Sequence, residues 1–244
     1  MNNAANKNVD YFNGAFAKHY QASRLEFEAA VSRAHELIQA NVGFIYPGTK
    51  VADFGCGPGA YAKVFVDAGC HVLAIDFSAE VLRVAMENLP DSVEFRNFDM
   101  RNLSSIETCS RDIVNCTGDT VLYLDSKKEV HSFVNECKRI ITASGLIHFE
   151  FRDFSVPLPM SDRVVIKRMG DTMKIISLQY EDDFVFTTNV YIGLETKTVV
   201  KEVSKKLRMS KAEFVDMLHQ NEFVDVKCIE KNEKVYIIAK LELS

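Results

Sequence analysis

The run Asp53-Phe54-Gly55-Cys56-Gly57-Pro58-Gly59 places three glycines in five residues, directly after the apolar stretch Lys50–Phe54 and directly before an apolar-periodic stretch, Ala60–Ala68. A β-strand that ends in such a loop and feeds a helix lets a ligand approach the backbone where any Cβ would collide. The feature demands a strand–loop–helix unit, and with it an α/β sheet that binds a cofactor at its strand ends.

The rest of the pattern agrees. Between Tyr46 and Glu150 short β-rich runs alternate with helical stretches, as in a parallel sheet with crossover helices. The strands are expected at Lys50–Phe54, His71–Ile75, Val93–Phe98, Asp112–Thr117 and Leu146–Phe151. Helices are expected at Ala60–Ala68, from Ser78 with Glu80 behind it, and over Ser126–Ile141. From Pro157 to Lys206 there is no helix-length period, only strand-like pieces at Arg163–Met169, Thr172–Tyr180, Phe184–Ile192 and Thr196–Val203, which reads as an inserted antiparallel meander. A helix over Ser210–Asn221 and a hairpin of Val224–Ile229 and Val235–Leu241 close the chain. Near the start, Phe16, Tyr20, Phe27, Val31, Ala34 and Ile38 recur at helical spacing, compatible with two consecutive helices between Val9 and Gly43. We read residues 1–244 as one domain: a helical cap at 9–45, a cofactor-binding fold at 46–152 and 207–244, and a β substrate lid at 153–206.

Composition narrows the partners. Among 244 residues, 29 Lys and Arg face 34 Asp and Glu, a net charge of -5, whereas proteins that live by neutralising phosphates lean the other way. No nucleic acid is expected as partner. Six scattered cysteines, with no Cys-x-x-Cys and no clustered His, indicate neither a zinc site nor a disulfide framework, so no metal is expected and a reducing, cytoplasmic location is. The N-terminus lacks a basic start followed by an apolar stretch, and nowhere do 18 apolar residues run together, so neither export nor a membrane span is expected.

On spacing alone, Gly55-x-Gly57-x-x-Ala60 also satisfies the dinucleotide fingerprint. Asp53 tips the balance: a carboxylate in the loop repels a pyrophosphate but suits a ligand with an ammonium group. S-adenosylmethionine carries an amino acid end and a sulfonium cation and has no phosphate. Asp76, ending the second strand, is placed to accept from both ribose hydroxyls, as it would for NAD. Asp99, ending the third, can accept from the adenine amine, with Phe77 and Met100 on the faces of the base. Each acid alone could equally cap a helix or be solvated; the series at three successive strand ends is the stronger signal.

These residues resemble the class I S-adenosylmethionine-dependent methyltransferases, over about residues 46–152 and 207–241. The resemblance implies a Rossmann-like seven-stranded sheet, mostly parallel with an antiparallel terminal hairpin and helices on both faces. It also implies that Asp53, Gly55, Cys56, Gly57 and Gly59 flank the methionine end, with Asp76 and Phe77 at the ribose and base, Asp99 and Met100 at the adenine, and Thr117 beside the cofactor. Thr142-Ala143-Ser144-Gly145 departs from the family's usual Pro-Gly-Gly before the fifth strand.

In layout the chain is closest to small-molecule N-methyltransferases of the glycine and amino-sugar type. In glycine-type enzymes the position of Asp119 is an asparagine that holds the amino acid, and that of Arg152 clasps its carboxylate. By that resemblance Asp119 and Arg152 contact the acceptor and Arg24 reaches the cofactor carboxylate; Asp119, His148, Tyr123 or Tyr20 could assist proton removal, and Tyr11 is expected at the acceptor site. Asp119 could equally be a structural ion pair with Arg152 or Arg168, and His148 reads better as a core histidine. The basic run Lys197, Lys201, Lys205, Lys206, Arg208 and Lys211 reads as a solvated strand face. The expected reaction is methyl transfer from S-adenosylmethionine to a small molecule, giving S-adenosylhomocysteine, with an amine nitrogen as acceptor in a monomer or homodimer. Open alternatives are O-methylation of a small acid or phenol, a nicotinamide oxidoreductase using the same loop, and a non-catalytic cofactor-binding partner.

Overall fold

A computed structural model describes Phe12 and residues 24–157, 164–169, 171–231 and 233–241. Helix α1 (Arg24–Asn41) precedes β1 (Lys50–Phe54), α2 (Ala60–Asp67), β2 (His71–Asp76), α3 (Ala79–Asn88), β3 (Glu94–Asn97) and β4 (Arg111–Cys116). A short 3-10 helix (Thr120–Tyr123), α4 (Lys127–Ile140) and β5 (Ile141–Phe151) follow. Next come four strands, β6 (Val165–Met169), β7 (Thr172–Tyr180), β8 (Phe184–Gly193) and β9 (Val199–Leu207), then α5 (Lys211–Gln220), β10 (Phe223–Lys231) and β11 (Lys234–Leu241).

Seven strands form one sheet in the order β10-β11-β5-β4-β1-β2-β3. Neighbours from β5 to β3 pair in parallel, while β11 pairs antiparallel with both β5 and β10. This is the expected Rossmann-like sheet with its reversed hairpin. The central strands are buried on both faces, which is why β1 reads as a nearly unbroken apolar run ending in a lone acid-and-aromatic pair.

Helices cover both faces. On one, Phe54, Phe133, Phe149 and Phe214 form a chain of edge-on rings with centroids 4.9–6.1 Å apart, tying β1 and β5 to α4 and α5. On the other, Ala34 and Ile38 of α1 pack with Phe65 of α2 and Leu82 of α3. Each fully buried aromatic or aliphatic side chain of this kind contributes roughly 1.5–3 kcal/mol. Ser78, Ser126 and Ser210 cap α3, α4 and α5 by accepting from the backbone N–H three residues on.

Two strands differ from expectation by more than two residues. Thr142–Gly145 is part of β5, because Ile141 already pairs with Arg111 and a bulge then resets the register to Leu146 opposite Ile113. A Cβ on Gly145 would stand 2.8 Å from the Asp112 carbonyl, so only glycine permits this approach. The fourth meander strand runs to Leu207 because Leu207 pairs with Phe184, and it draws Lys205 and Lys206 into the strand. The four-stranded antiparallel sheet β6-β7-β8-β9 is the inserted meander. The first expected N-terminal helix, with Tyr11, Phe16 and Tyr20, lies outside the described residues.

Candidate active site

A cavity of about 620 Å³ opens at the carboxyl ends of β1, β2 and β4, where strand order reverses. That is where ligands bind in sheets of this kind. Its floor is Gly55, Cys56, Gly57 and Pro58, and its far wall carries Asp76, Phe77, Phe98, Asp99 and Met100. Thr117 and Gly118 border it after β4, while Phe27, Arg33, Ala34 and Leu37 of α1 form a roof.

The glycines divide their work. A Cβ on Gly55 would meet the Thr120 side chain at 2.3 Å and one on Gly59 would meet Leu89 at 2.7 Å, so both serve packing. A Cβ on Gly57, where φ is +56°, would meet only the Gly55 carbonyl, at 4.0 Å, so this residue presents bare backbone to the cavity. Gly59 itself does not line the cavity.

Asp76 is the best-placed of the expected acids. It accepts from Gly57 N–H at 3.1 Å and from Ser78 N–H at 2.9 Å, which fixes its carboxylate at the cavity wall. Burial raises its pKa to about 6 against those hydrogen bonds. Asp99 also lines the cavity but is clasped by Arg101, whose Nε lies 3.0 Å from it and whose second arm reaches Asp125 at 3.0 Å. Phe12 meets Phe77 edge-on at 5.3 Å and Tyr123 at 4.9 Å, so three rings crowd one side of the cavity.

Asp53 is turned inward beneath the loop and does not line the cavity. Its Oδ1 accepts from Asn115 Nδ2 at 2.7 Å, and Asn115 Oδ1 lies 2.8 Å from His148 Nδ1. His148 is the buried core histidine expected, its pKa lowered to about 4 by burial. Among the described residues, the other Asp53 oxygen is buried without a hydrogen-bond partner. Burial raises Asp53 to about 7, with Asp76 adding to the rise against the Asn115 hydrogen bond. A cation held over the loop would favour its ionised form.

Asp119 and Arg152, expected at the acceptor, do not line the cavity. Asp119 is 3% exposed. Its Oδ1 accepts the Arg152 N–H at 2.8 Å, and its Oδ2 accepts from Arg152 Nη1 at 2.8 Å and Lys206 Nζ at 2.7 Å. Burial alone would raise its pKa, but Lys206 and Arg152 outweigh that and hold it far below the usual carboxylate range. Lys205 and Lys206 are likewise not solvated: both are buried, and Lys205 pairs with Asp125 and lies over the Phe184 ring. No described residue of the 153–206 insertion lines the cavity, and β9 packs against the 3-10 helix. Tyr11 and Tyr20 lie outside the described residues, as does the Arg24 side chain.

Residues 52–149 match a family described as a methyltransferase domain. The ubiquinone biosynthesis O-methyltransferase of Methylococcus capsulatus is 28% identical over 117 residues, 47% of this chain and 47% of that protein. The chain thus spans about half the length of the curated relatives it matches. A structure described as a sugar N-methyltransferase from Streptoalloteichus superposes with a TM-score of 0.72 at 11% identity, over 92% of this chain and 91% of the other. An S-adenosylmethionine-dependent methyltransferase from Clostridium acetobutylicum gives 0.71 at 16% identity, over 89% and 93%. At those identities the likeness is one of fold.

Beside the glycine loop lies one group that was not among the expected site residues. Glu150, 1% exposed near the end of β5, accepts the Tyr61 hydroxyl hydrogen at 2.5 Å and an ammonium hydrogen of Lys234. Tyr61, Glu150, Lys234 and Tyr236 all line the cavity, on the side opposite Asp99. The available signal was the acid in the apolar run of β5, together with the antiparallel hairpin that sets Tyr236 against Glu150. Among the described residues, no helix is long and apolar enough to cross a membrane.

Proposed function

We propose that the chain is an S-adenosylmethionine-dependent methyltransferase acting on a small molecule, with an amine nitrogen as the acceptor. The observation that carries the cofactor assignment is the bare backbone at Gly57 bonded to the Asp76 carboxylate, at the reversal of strand order. Asp76 is assigned to the ribose hydroxyls, Phe77 and Met100 to the base, and Asp99 to its exocyclic amine. The loop around Gly55, Cys56 and Gly57 is assigned to the methionine end, with the Asp53 charge beneath it. Bound there, the cofactor supplies a methyl group on a positively charged sulfur. The residues around it hold donor and acceptor in line, an effect worth up to about 7–11 kcal/mol, and keep water from the nucleophile. Cys56 supplies no chemistry, since burial raises its thiol well above the usual range.

The amine agrees with the Glu150 carboxylate beside Tyr61 at the cavity and with the fold shared with a sugar N-methyltransferase. An oxygen acceptor is the second reading, favoured by the ubiquinone O-methyltransferase among the relatives. We further propose that residues 1–244 act as one unit in the cytoplasm. Calorimetry with S-adenosylhomocysteine and with NADH tests the cofactor: the thioether is expected to bind and NADH not, and the reverse would overturn the assignment. Release of S-adenosylhomocysteine across a panel of amines, hydroxy acids and phenols then tests the acceptor atom.

A further inference from the structure

Transfer to an ammonium group requires that the nitrogen first lose a proton, and the acids singled out from the sequence do not serve. Asp119 is taken by two cations and lies off the cavity, Asp53 is beneath the loop, and Asp99 is clasped by Arg101. The Tyr61–Glu150 pair differs from all three. It borders the cavity where β4 and β5 end, on the far side of the glycine loop from the ribose acid Asp76. The Tyr61 hydroxyl gives its hydrogen to Glu150, so the lone pairs of its oxygen are left to accept a hydrogen bond from the cavity.

We propose that Tyr61 and Glu150 are the proton exit for the acceptor nitrogen. This rests on the methyltransferase reading and deepens it. As the acceptor ammonium gives a proton to the Tyr61 oxygen, the phenolic hydrogen passes to Glu150 Oε2, which becomes a neutral carboxylic acid. The freed lone pair bonds to the methyl carbon, and the carbon–sulfur bond breaks with its electrons on sulfur. Charge balances: two cations and a carboxylate become one methylated ammonium, a neutral thioether and a neutral acid. Tyr61 acts as a relay and not as a phenolate, for burial and the adjacent Glu150 both push its own ionisation up. Lys234 on the other carboxylate oxygen sets how readily Glu150 takes the proton.

Sinefungin tests this without knowing the acceptor, because in it a carbon bearing an ammonium group replaces the methylsulfonium. That ammonium occupies the place of the transferred methyl and donates toward the proton exit. By calorimetry, the wild-type protein should prefer sinefungin over S-adenosylhomocysteine by roughly ten- to a hundredfold, the value of a hydrogen bond to a charged group. In Tyr61→Phe and Glu150→Gln the preference should fall toward unity with S-adenosylhomocysteine affinity retained, which also shows that the site is folded. In Lys234→Met, where Glu150 loses its competing cation, the preference should rise. An unchanged preference in Tyr61→Phe, or a fall in Lys234→Met, would overturn the proton exit while the cofactor assignment stands. Failure of the wild-type protein to bind either compound would remove the methyltransferase reading and the proposal with it.

Discussion

Lys206 Nζ lies 2.7 Å from Asp119 Oδ2, both side chains more than nine-tenths buried. This pair joins β9 of the small sheet to the turn after β4 of the large one, and Arg152 closes the third side. Breaking a buried pair by removing one partner costs about 3–5 kcal/mol, because the other charge is left uncompensated. Asp119→Ala should therefore lower the unfolding free energy by an amount of that size, seen as a lower urea midpoint. Below its melting point the variant should still bind S-adenosylhomocysteine near wild-type affinity; a selective loss of binding with unchanged stability would return Asp119 to the ligand site. The depressed pKa of Asp119 also has a sign: its contribution is present above the unfolded value and is lost as the pH falls below about 4.

Asp53 predicts the opposite dependence. Its pKa is raised from 3.8 to about 7, so the folded state favours the protonated form, and that contribution is full below pH 3.8 and lost as the pH rises to about 7. The interval corresponds to at most about 4 kcal/mol. Asp76, raised to about 6, contributes to the lower part of the same window. In ligand-free protein Asp53→Asn should flatten the stability profile between pH 4 and 7, measured by urea unfolding at several pH values. A profile as steep as wild type would show that Asp53 does not titrate there.

What the sequence made legible follows from how local each signal is. The sheet was legible because buried parallel strands and amphipathic crossovers write their periods into consecutive residues, and the position of Asp76 followed from the strand end. Asp119 and Lys206 were not legible as partners, since Lys206 lies 87 residues downstream and the register that places it, Leu207 opposite Phe184, leaves no trace near Asp119. The same holds for Glu150 with Tyr61 and Lys234. Their meeting depends on which strand lies beside β5, and a single acid in an apolar run does not name its partner.

Asp76 is expected to be the strongest determinant of cofactor affinity. Its two oxygens are held by backbone N–H groups, which leaves their remaining lone pairs aimed at the cavity for the ribose hydroxyls. Charge-assisted hydrogen bonds of this kind contribute about 1.5–3 kcal/mol each. Asp76→Ala should weaken S-adenosylhomocysteine binding by at least about a hundredfold in calorimetry, and Asp76→Asn by less. Equal affinity in wild type and Asp76→Ala would take the ribose from this wall.

Gly57 and Gly59 make the sharpest contrast, since both have positive φ but face different surroundings. A methyl group at either position costs about 1–2 kcal/mol of backbone strain. At Gly57 it meets nothing of the protein nearer than 4.0 Å and enters the cavity, so Gly57→Ala should keep most of its stability and lose at least about tenfold in cofactor affinity. At Gly59 it presses on the Leu89 side chain, so Gly59→Ala should lose more stability while what remains folded binds the cofactor normally. Thermal unfolding and calorimetry on the two variants separate these outcomes. If Gly57→Ala binds as wild type does, the cofactor does not cross the loop at that residue.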